Sequence, residues 1–176
     1  MSGLLYWLDM EMTGLDVNKE VIIEVAAIIT DYNFKEISTY EAVVKQSQSY
    51  IDSMDEWNKT HHTNSGLTHK IPFGKEPATV EKELINLVTQ FFPDPKDKPI
   101  LAGNSIAQDR SFIDKYFTEF SKKLHYRMLD VSSWKIMFVN KLHKEYKKKN
   151  QHRALDDIRE SIGELKFYMG FINPNI

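Results

Sequence analysis

The chain has 176 residues, of which 41% are hydrophobic, and it contains no cysteine. This length and composition are typical of one globular domain, and we predict that residues 1–176 form a single domain. The absence of cysteine excludes a disulfide scaffold, a zinc site built on thiolates and a cysteine nucleophile.

Charge is almost balanced, with 23 basic and 25 acidic residues and a net charge of −2. Proteins that track along nucleic acids usually carry a basic stripe, because phosphate contacts dominate their affinity. The one dense basic run, residues 141–150, is typical of a solvated helix end. We therefore expect no long nucleic-acid groove. The sequence shows neither a long apolar run nor a signal-peptide pattern, so we expect a cytoplasmic protein with no membrane contact.

The order of predicted elements indicates an α/β fold. Three strands joined by short polar connectors, typical of antiparallel hairpins, are predicted at residues 4–12, 21–31 and 39–44. Helices then alternate with strands: the helices are predicted at 51–59, 79–92, 109–124, 132–148 and 154–169, and the strands at 99–104 and 126–131. This order predicts a mixed five-stranded sheet, with three antiparallel strands followed by α/β units, flanked by helices.

Two acids, Asp9 and Glu11, end the first predicted strand. Residues two apart in a strand point to the same face, so both carboxylates aim in one direction. Two adjacent anions repel each other, and a cation or a proton must compensate. Carboxylate oxygens are the ligands that Mg²⁺ or Mn²⁺ prefers, although two solvated acids at a strand end would look the same.

Further candidates lie at helix starts. Asp109 follows a buried strand in the first turn of a helix, where the helix dipole alone also favours acids. Asp157 lies on the flank of the helix at 154–169 that can approach the sheet. His152 precedes this helix on a loop from which it could swing over a site, although a histidine there is also typical of a polar surface.

In chain order, these residues resemble the DEDDh 3′–5′ exonucleases, which have a ribonuclease H-like fold. Within that group the chain resembles the oligoribonuclease family in five stretches: WLDMEMTGLD (7–16), MDEWNKTHHTNSGL (54–67), GNSIAQDRSF (103–112), HYRMLDVSS (125–133) and HRALDDIRESIGEL (152–165). Two departures are modest. The chain has HHT where the family has THT, and the segment before His152 is short.

The resemblance implies a catalytic set and a reaction. It assigns Asp9, Glu11, Asp109 and Asp157 as ligands of two divalent cations, Mg²⁺ or Mn²⁺, and His152 as general base. The implied reaction removes nucleoside 5′-monophosphates from the 3′ end of very short RNA, especially dinucleotides. A histidine with a pKa of about 6.5 suits proton transfer at neutral pH.

The resemblance also assigns residues to the bases of the substrate. Leu15 would wedge against a base, Trp57 would lie beside the bases and His62 would approach the substrate. Aromatic and apolar groups stack on any base without sequence preference, which agrees with this assignment. Trp57 could instead belong to the core, and Leu15 could be an ordinary loop residue.

A third group of residues would hold the far end of the RNA. The resemblance assigns Ser105, Arg127 and Ser132 to the 5′ phosphate, and Tyr126 to the site of the neighbouring subunit in a homodimer. Arginine suits a terminal phosphate, but Arg127 could also be a plain surface residue. A capped 5′ end would explain why the chain needs no basic stripe.

Two other functions fit parts of this pattern. A proofreading-type DNA 3′–5′ exonuclease would keep the same catalytic residues but process long strands, with binding that weakens steeply with salt. A non-catalytic module for nucleic-acid binding or dimerisation would release no nucleoside monophosphates. Glu24, in the apolar run 21–31, fits either a buried paired acid or a bulge onto solvent.

Overall fold

The computed structural model describes residues 3–147 and 153–172, and these contain one five-stranded mixed sheet. The strands are β1 (Leu4–Met12), β2 (Ile22–Asp31), β3 (Glu36–Val43), β4 (Leu101–Gly103) and β5 (Met128–Asp130), in the order β3-β2-β1-β4-β5. β1 pairs antiparallel with β2, and β2 with β3, whereas β4 runs parallel to both β1 and β5. The predicted fold class is confirmed.

Seven α-helices flank this sheet in the described part of the chain. They are α1 (Gln48–Ser53), α2 (Glu56–Asn64), α3 (Pro77–Phe91), α4 (Ala107–Tyr116), α5 (Thr118–Lys123), α6 (Val131–Leu142) and α7 (Ala154–Met169). A single 3₁₀ turn, Ile71–Phe73, precedes α3. Among these described helices, none is both long and apolar enough to cross a bilayer.

The sheet has a core on each face, and alternation along β1 decides which side each residue serves. Tyr6 and Leu8 pack with α3, α4 and α5 on one face. Leu5 and Trp7 pack with α6 and α7 on the other. Asp9 continues the row of Leu5 and Trp7, and the acidic end of β1 therefore faces the side that α7 covers.

The predicted helix at 51–59 is wrong in its bounds, because Asp55 starts a new helix inside it. The Asp55 carboxylate accepts the backbone N–H of Asn58 at 2.7 Å, which caps α2. α2 then continues to Asn64, beyond the end predicted for the helix at 51–59. As a result His61 and His62 lie on a helix.

The predicted helices at 109–124 and 132–148 are too long. The first breaks at Phe117 into α4 and α5, and Glu81 on α3 accepts the backbone N–H groups of Glu119 and Phe120 in the first turn of α5. α6 ends at Leu142, because His143 adopts a left-handed conformation with φ of 53°. Apolar periodicity continues through both ends, so the sequence pattern does not mark them.

Candidate active site

Three carboxylates converge at the acidic end of β1. One oxygen each of Asp9, Glu11 and Asp157 lies within 4.8 Å of the other two. Asp157 reaches this group from the first turn of α7, which crosses the sheet face to which Asp9 and Glu11 point. The structure therefore brings together three of the four predicted metal ligands.

The fourth predicted ligand, Asp109, lies close by in the first turn of α4. β4 pairs with β1 only at Tyr6 and Trp7, so β1 projects beyond β4. There the N–H of Met10 donates to Asp109 Oδ1 at 3.0 Å, and the Asp109 side chain is only 5% exposed. Asp109 is thus held at Met10, the residue between Asp9 and Glu11. Its carboxylate lies outside the cluster that Asp9, Glu11 and Asp157 form.

Burial and mutual repulsion make these acids strong acceptors of positive charge. Burial, followed by repulsion from Asp157, Glu24 and Asp109, raises the pKa of Glu11 to about 8. Burial, with a further contribution from Asp130, raises the pKa of Asp109 to about 7. A set of clustered carboxylate oxygens with these properties fits a hard divalent cation such as Mg²⁺ or Mn²⁺.

Helix α2 carries two of the predicted substrate residues on different sides. His62 is buried, its Nε2 lies 3.0 Å from the carbonyl oxygen of Met12, and its Nδ1 lies 3.9 Å from Glu11. Burial lowers the pKa of His62. Trp57 is 66% exposed, and its indole stacks on His61 with ring centroids 4.6 Å apart. Trp57 is therefore a surface platform and not a core residue.

Leu15 lies on a tethered loop between β1 and β2. Its side chain is 74% exposed, and its carbonyl accepts a hydrogen bond from Gln108 at 2.8 Å. Thr13 and Glu20 join the two ends of the loop, and Tyr116 donates to the Glu20 carbonyl at 2.7 Å. An apolar side chain is thus held in solvent next to the helix that carries Asp109.

Ser105 and Ser132 meet where β4 and β5 end. Their hydroxyl oxygens are 3.1 Å apart, and the N–H of Ser105 donates to both Ser132 Oγ and Asp130 Oδ1. A side chain at Gly103 would clash with the Leu8 carbonyl, 2.8 Å from an added Cβ, and glycine lets the strands close here. In open α/β sheets, this edge at the carboxyl ends of strands commonly binds ligands.

Among the contacts of the described residues, none joins Arg127 to Ser105 or Ser132. Arg127 precedes β5 and lines a surface cavity with Leu4, Ile100 and His125. Its guanidinium lies 5.3 Å from the ring centroid of Tyr126, which is 74% exposed. His152 lies outside the described residues, and the described chain resumes at Arg153.

Sequence reasoning did not single out three residues that position this site: Asn104, Gln108 and Asp130. Asn104 donates to Glu164 at 3.0 Å and accepts from Ser132 at 3.2 Å, which ties the serine pair to α7. Asn104 follows β4, Gln108 lies in the first turn of α4 and Asp130 ends β5, and single polar residues at element ends have no periodicity that could reveal them. The one available signal was that these residues lie in the stretches 103–112 and 125–133, which resemble the oligoribonuclease family.

The strand order and the carboxylates clustered at the end of β1 define the class of this protein by its fold, which is ribonuclease H-like. The RNase_T family model, described as an exonuclease, matches residues 6–165. The oligoribonuclease of Francisella tularensis subsp. novicida (strain U112) is 44% identical over 169 residues, which cover 93% of both chains. The mitochondrial oligoribonuclease of Homo sapiens is 44% identical over 177 residues, covering 96% of this chain and 73% of its own. This chain belongs to the oligoribonuclease family of exonucleases, and it is therefore an enzyme.

Solved structures agree on the fold. The crystal structure of E. coli exonuclease I in complex with a 5cy-dA13 oligonucleotide aligns with a TM-score of 0.72 and 14% sequence identity. The alignment covers 96% of this chain and 40% of exonuclease I, so this chain spans less than half of that protein. At this identity the likeness concerns the fold alone.

Proposed function

We propose that this nuclease is a 3′–5′ exoribonuclease that converts very short RNA, above all dinucleotides, to nucleoside 5′-monophosphates. The convergence of Asp9, Glu11 and Asp157 carries the proposal, and the exposed side chains of Leu15, on the loop after β1, and of Trp57, on α2, offer apolar surface for bases. Relatives named oligoribonuclease at 44% identity support RNA as the substrate. We further propose that residues 1–176 act as one cytoplasmic domain.

The proposed cofactor is a pair of divalent cations, Mg²⁺ or Mn²⁺, held by Asp9, Glu11, Asp109 and Asp157. Their carboxylate oxygens have the chemistry that these hard cations require. Bound there, the cations would neutralise charge on the scissile phosphate and lower the pKa of a water molecule.

The side chains divide the remaining work. His152 takes the proton from the attacking water, the new bond forms between water oxygen and phosphorus, and the P–O3′ bond breaks. The released nucleotide keeps the phosphate on its 5′ oxygen, and the O3′ of the remaining RNA takes a proton from solvent to become a 3′ hydroxyl. Leu15 and Trp57 hold the bases without reading their sequence.

The phosphate end of the substrate is assigned to the serine pair. The hydroxyls of Ser105 and Ser132 lie at the carboxyl edge of the sheet, and Ser132 would have to release its hydrogen bond to Asn104 Oδ1 to donate to a terminal phosphate. In the structure the Arg127 guanidinium lies over the ring of Tyr126, and it would have to move away from that ring to reach the phosphate. Such a cap would stop longer strands from extending past the site.

The length of RNA that is hydrolysed tests this proposal. We compare 5′-labelled RNAs of two, five and twenty nucleotides with Mg²⁺, and expect the dinucleotide to be hydrolysed fastest because the site is capped. Activity should disappear with chelator and in His152→Ala, whereas equal or faster cleavage of the 20-mer would contradict a capped site.

The same assay separates the alternatives. A DNA exonuclease of the proofreading type would prefer long single strands and lose activity steeply between low and moderate salt. A non-catalytic binding module would release no nucleoside monophosphate from any length. A dinucleotide preference that changes little with salt excludes both.

We also propose that the chain forms a homodimer in which Tyr126 reaches the partner's site. Large apolar side chains are exposed around β5 and α6: Tyr126, Met128, Ile136, Met137 and Leu142. Exposed apolar area of this kind is typical of an interface between protein subunits. Sedimentation of the purified chain should therefore give twice the monomer mass.

Mixed dimers test the contribution of Tyr126. If Tyr126 acts across the interface, coexpressing Tyr126→Ala with Asp157→Ala rebuilds one complete site in each mixed dimer. Those dimers, isolated with two different tags, should then regain about half of wild-type activity per dimer, on the expectation that each subunit carries one independent site. No activity above the two parent variants would show that Tyr126 acts within its own subunit.

A further inference from the structure

A buried acid, Glu24, lies on the sheet beside the carboxylate cluster. It pairs with Glu11 in the register of β1 and β2, so both side chains point to the face that α7 covers. Glu24 is 0% exposed. A buried carboxylate is costly unless it is paired and hydrogen-bonded, so its partners are informative.

The main partner of Glu24 is Arg153, which immediately precedes α7. Arg153 Nη2 lies 2.7 Å from Glu24 Oε1, and Arg153 Nε lies 3.2 and 3.3 Å from the two carboxylate oxygens. The same Nη2 also lies 2.7 Å from Glu41 on β3. One guanidinium thus ties the start of α7 to two neighbouring strands, with the fork geometry that makes such pairs strong.

Glu24 also holds the helix backbone. The N–H of Ala154, the first residue of α7, donates to Glu24 Oε2 at 3.3 Å. Arg153 occupies the N-cap position, and its own side chain does not cap the helix. A carboxylate from β2 therefore accepts an N–H at the positive end of α7, where the helix dipole favours negative charge.

This anchor lies one helical turn before Asp157. The N–H of Asp157 donates to the carbonyl of Arg153 at 2.9 Å, so the two residues share the first turn. Glu24 contacts both the Arg153 guanidinium and the Ala154 N–H. These contacts restrain the distance of that turn from the sheet and its rotation about the helix axis. A shift of the turn would move the Asp157 carboxylate away from Asp9 and Glu11.

We propose that Glu24 is a positioning residue of the active site, which acts through Arg153 and Ala154 to place Asp157 in the carboxylate cluster. The consequence for catalysis rests on the proposed metal-dependent hydrolysis, whereas the consequence for α7 does not. Glu24 also explains why an acid interrupts the most apolar strand of the sheet: the acid anchors a helix from another part of the chain.

The test replaces Glu24 with glutamine, which keeps the shape and removes the charge. Mn²⁺ affinity is measured by the spin resonance signal of free Mn²⁺, and kcat and KM are measured with the dinucleotide. We expect Mn²⁺ affinity and kcat to fall by about 10–100-fold, as for other residues that orient metal ligands, with little change in KM. Wild-type values of Mn²⁺ affinity and kcat in a folded Glu24→Gln protein would overturn the proposal.

Arg159→Gln is the matched control. Arg159 also lies on α7 and also pairs with a glutamate of β3, Glu36, at 3.1 Å, but this pair is on the surface. Exposed ion pairs contribute little to stability, and we therefore expect Arg159→Gln to keep Mn²⁺ affinity and kcat within about fivefold of wild type. A loss equal to that of Glu24→Gln would mean that any weakening of α7 has this effect, and would overturn a specific role of Glu24.

A double variant, Glu24→Leu with Arg153→Met, guards against simple unfolding. Replacing both members of a buried ion pair with apolar residues commonly preserves stability. This protein should melt near the wild-type temperature and still bind Mn²⁺ about 10–100-fold more weakly, because the anchor is gone. Wild-type Mn²⁺ affinity in the folded double variant would contradict the proposal.

Hydrogen exchange separates failure of this inference from failure of the proposed function. In Glu24→Gln, amides of residues 154–158 should exchange faster, whereas those of residues 162–169 should not change. Unchanged exchange at 154–158 overturns the positioning role, whether or not the wild-type protein binds Mn²⁺. Absence of both Mn²⁺ binding and RNA hydrolysis in wild type would instead refute the proposed function.

Discussion

Replacing Asp157 with alanine should abolish RNA hydrolysis and leave the protein folded. Asp157 supplies one of the three clustered carboxylates, and its removal leaves the cluster with two acids, both from β1. The loss of a direct metal ligand should exceed the ~10–100-fold loss typical of residues that only orient ligands. The measurement is dinucleotide turnover with Mg²⁺, and the same loss is expected for Asp9→Ala.

The neighbouring Asp156 provides the control. Asp156 also lies in the first turn of α7, but it pairs with Arg159 at 3.8 Å on the surface. Asp156→Ala should therefore keep turnover within about fivefold of wild type. Circular dichroism and melting curves establish that both variants fold, and substantial turnover in folded Asp157→Ala would defeat its role as a metal ligand.

The sequence predicted the sheet and α7 because apolar patterns there agree with the final packing. The bounds predicted for the last helix, 154–169, are those of α7. The breaks at Asp55 and Phe117 escaped prediction, since apolar periodicity runs through both. Asp55 caps α2 through its own side chain, and Phe117 ends α4 in a non-helical conformation.

For the site, the sequence predicted the identity of the clustered acids. It did not predict the contacts that hold them in place. Asp9 and Glu11 share a face because of strand geometry, which spacing reveals. The Met10 N–H bond of Asp109 depends on β4 ending early, which no local pattern encodes. The partner of Glu24 lies 129 residues away in the sequence, so its burial could not be decided from the strand alone.

In the absence of metal, Glu11 should make the protein less stable as pH rises. Its pKa is about 8 in the folded protein, against an ordinary value of 4.5, so the folded state binds the proton more tightly than the unfolded state. The stabilisation is therefore present below about pH 4.5 and is lost as pH rises through about 8. Asp109, with a pKa of about 7, should act in the same direction.

Comparison with Glu11→Gln isolates this effect, because the lowered pKa of His62 acts in the opposite direction in both proteins. In chelator at pH 5, the free energy of unfolding measured with urea should be similar for wild type and Glu11→Gln. At pH 8 the variant should be more stable than wild type, by on the order of a few kcal/mol. Mn²⁺ should reverse that order at pH 8, since a bound cation compensates the wild-type charges and stabilises only the state that binds it. A wild-type protein that equals the variant at pH 8 in chelator would show that burial and the neighbouring acids do not raise the pKa of Glu11.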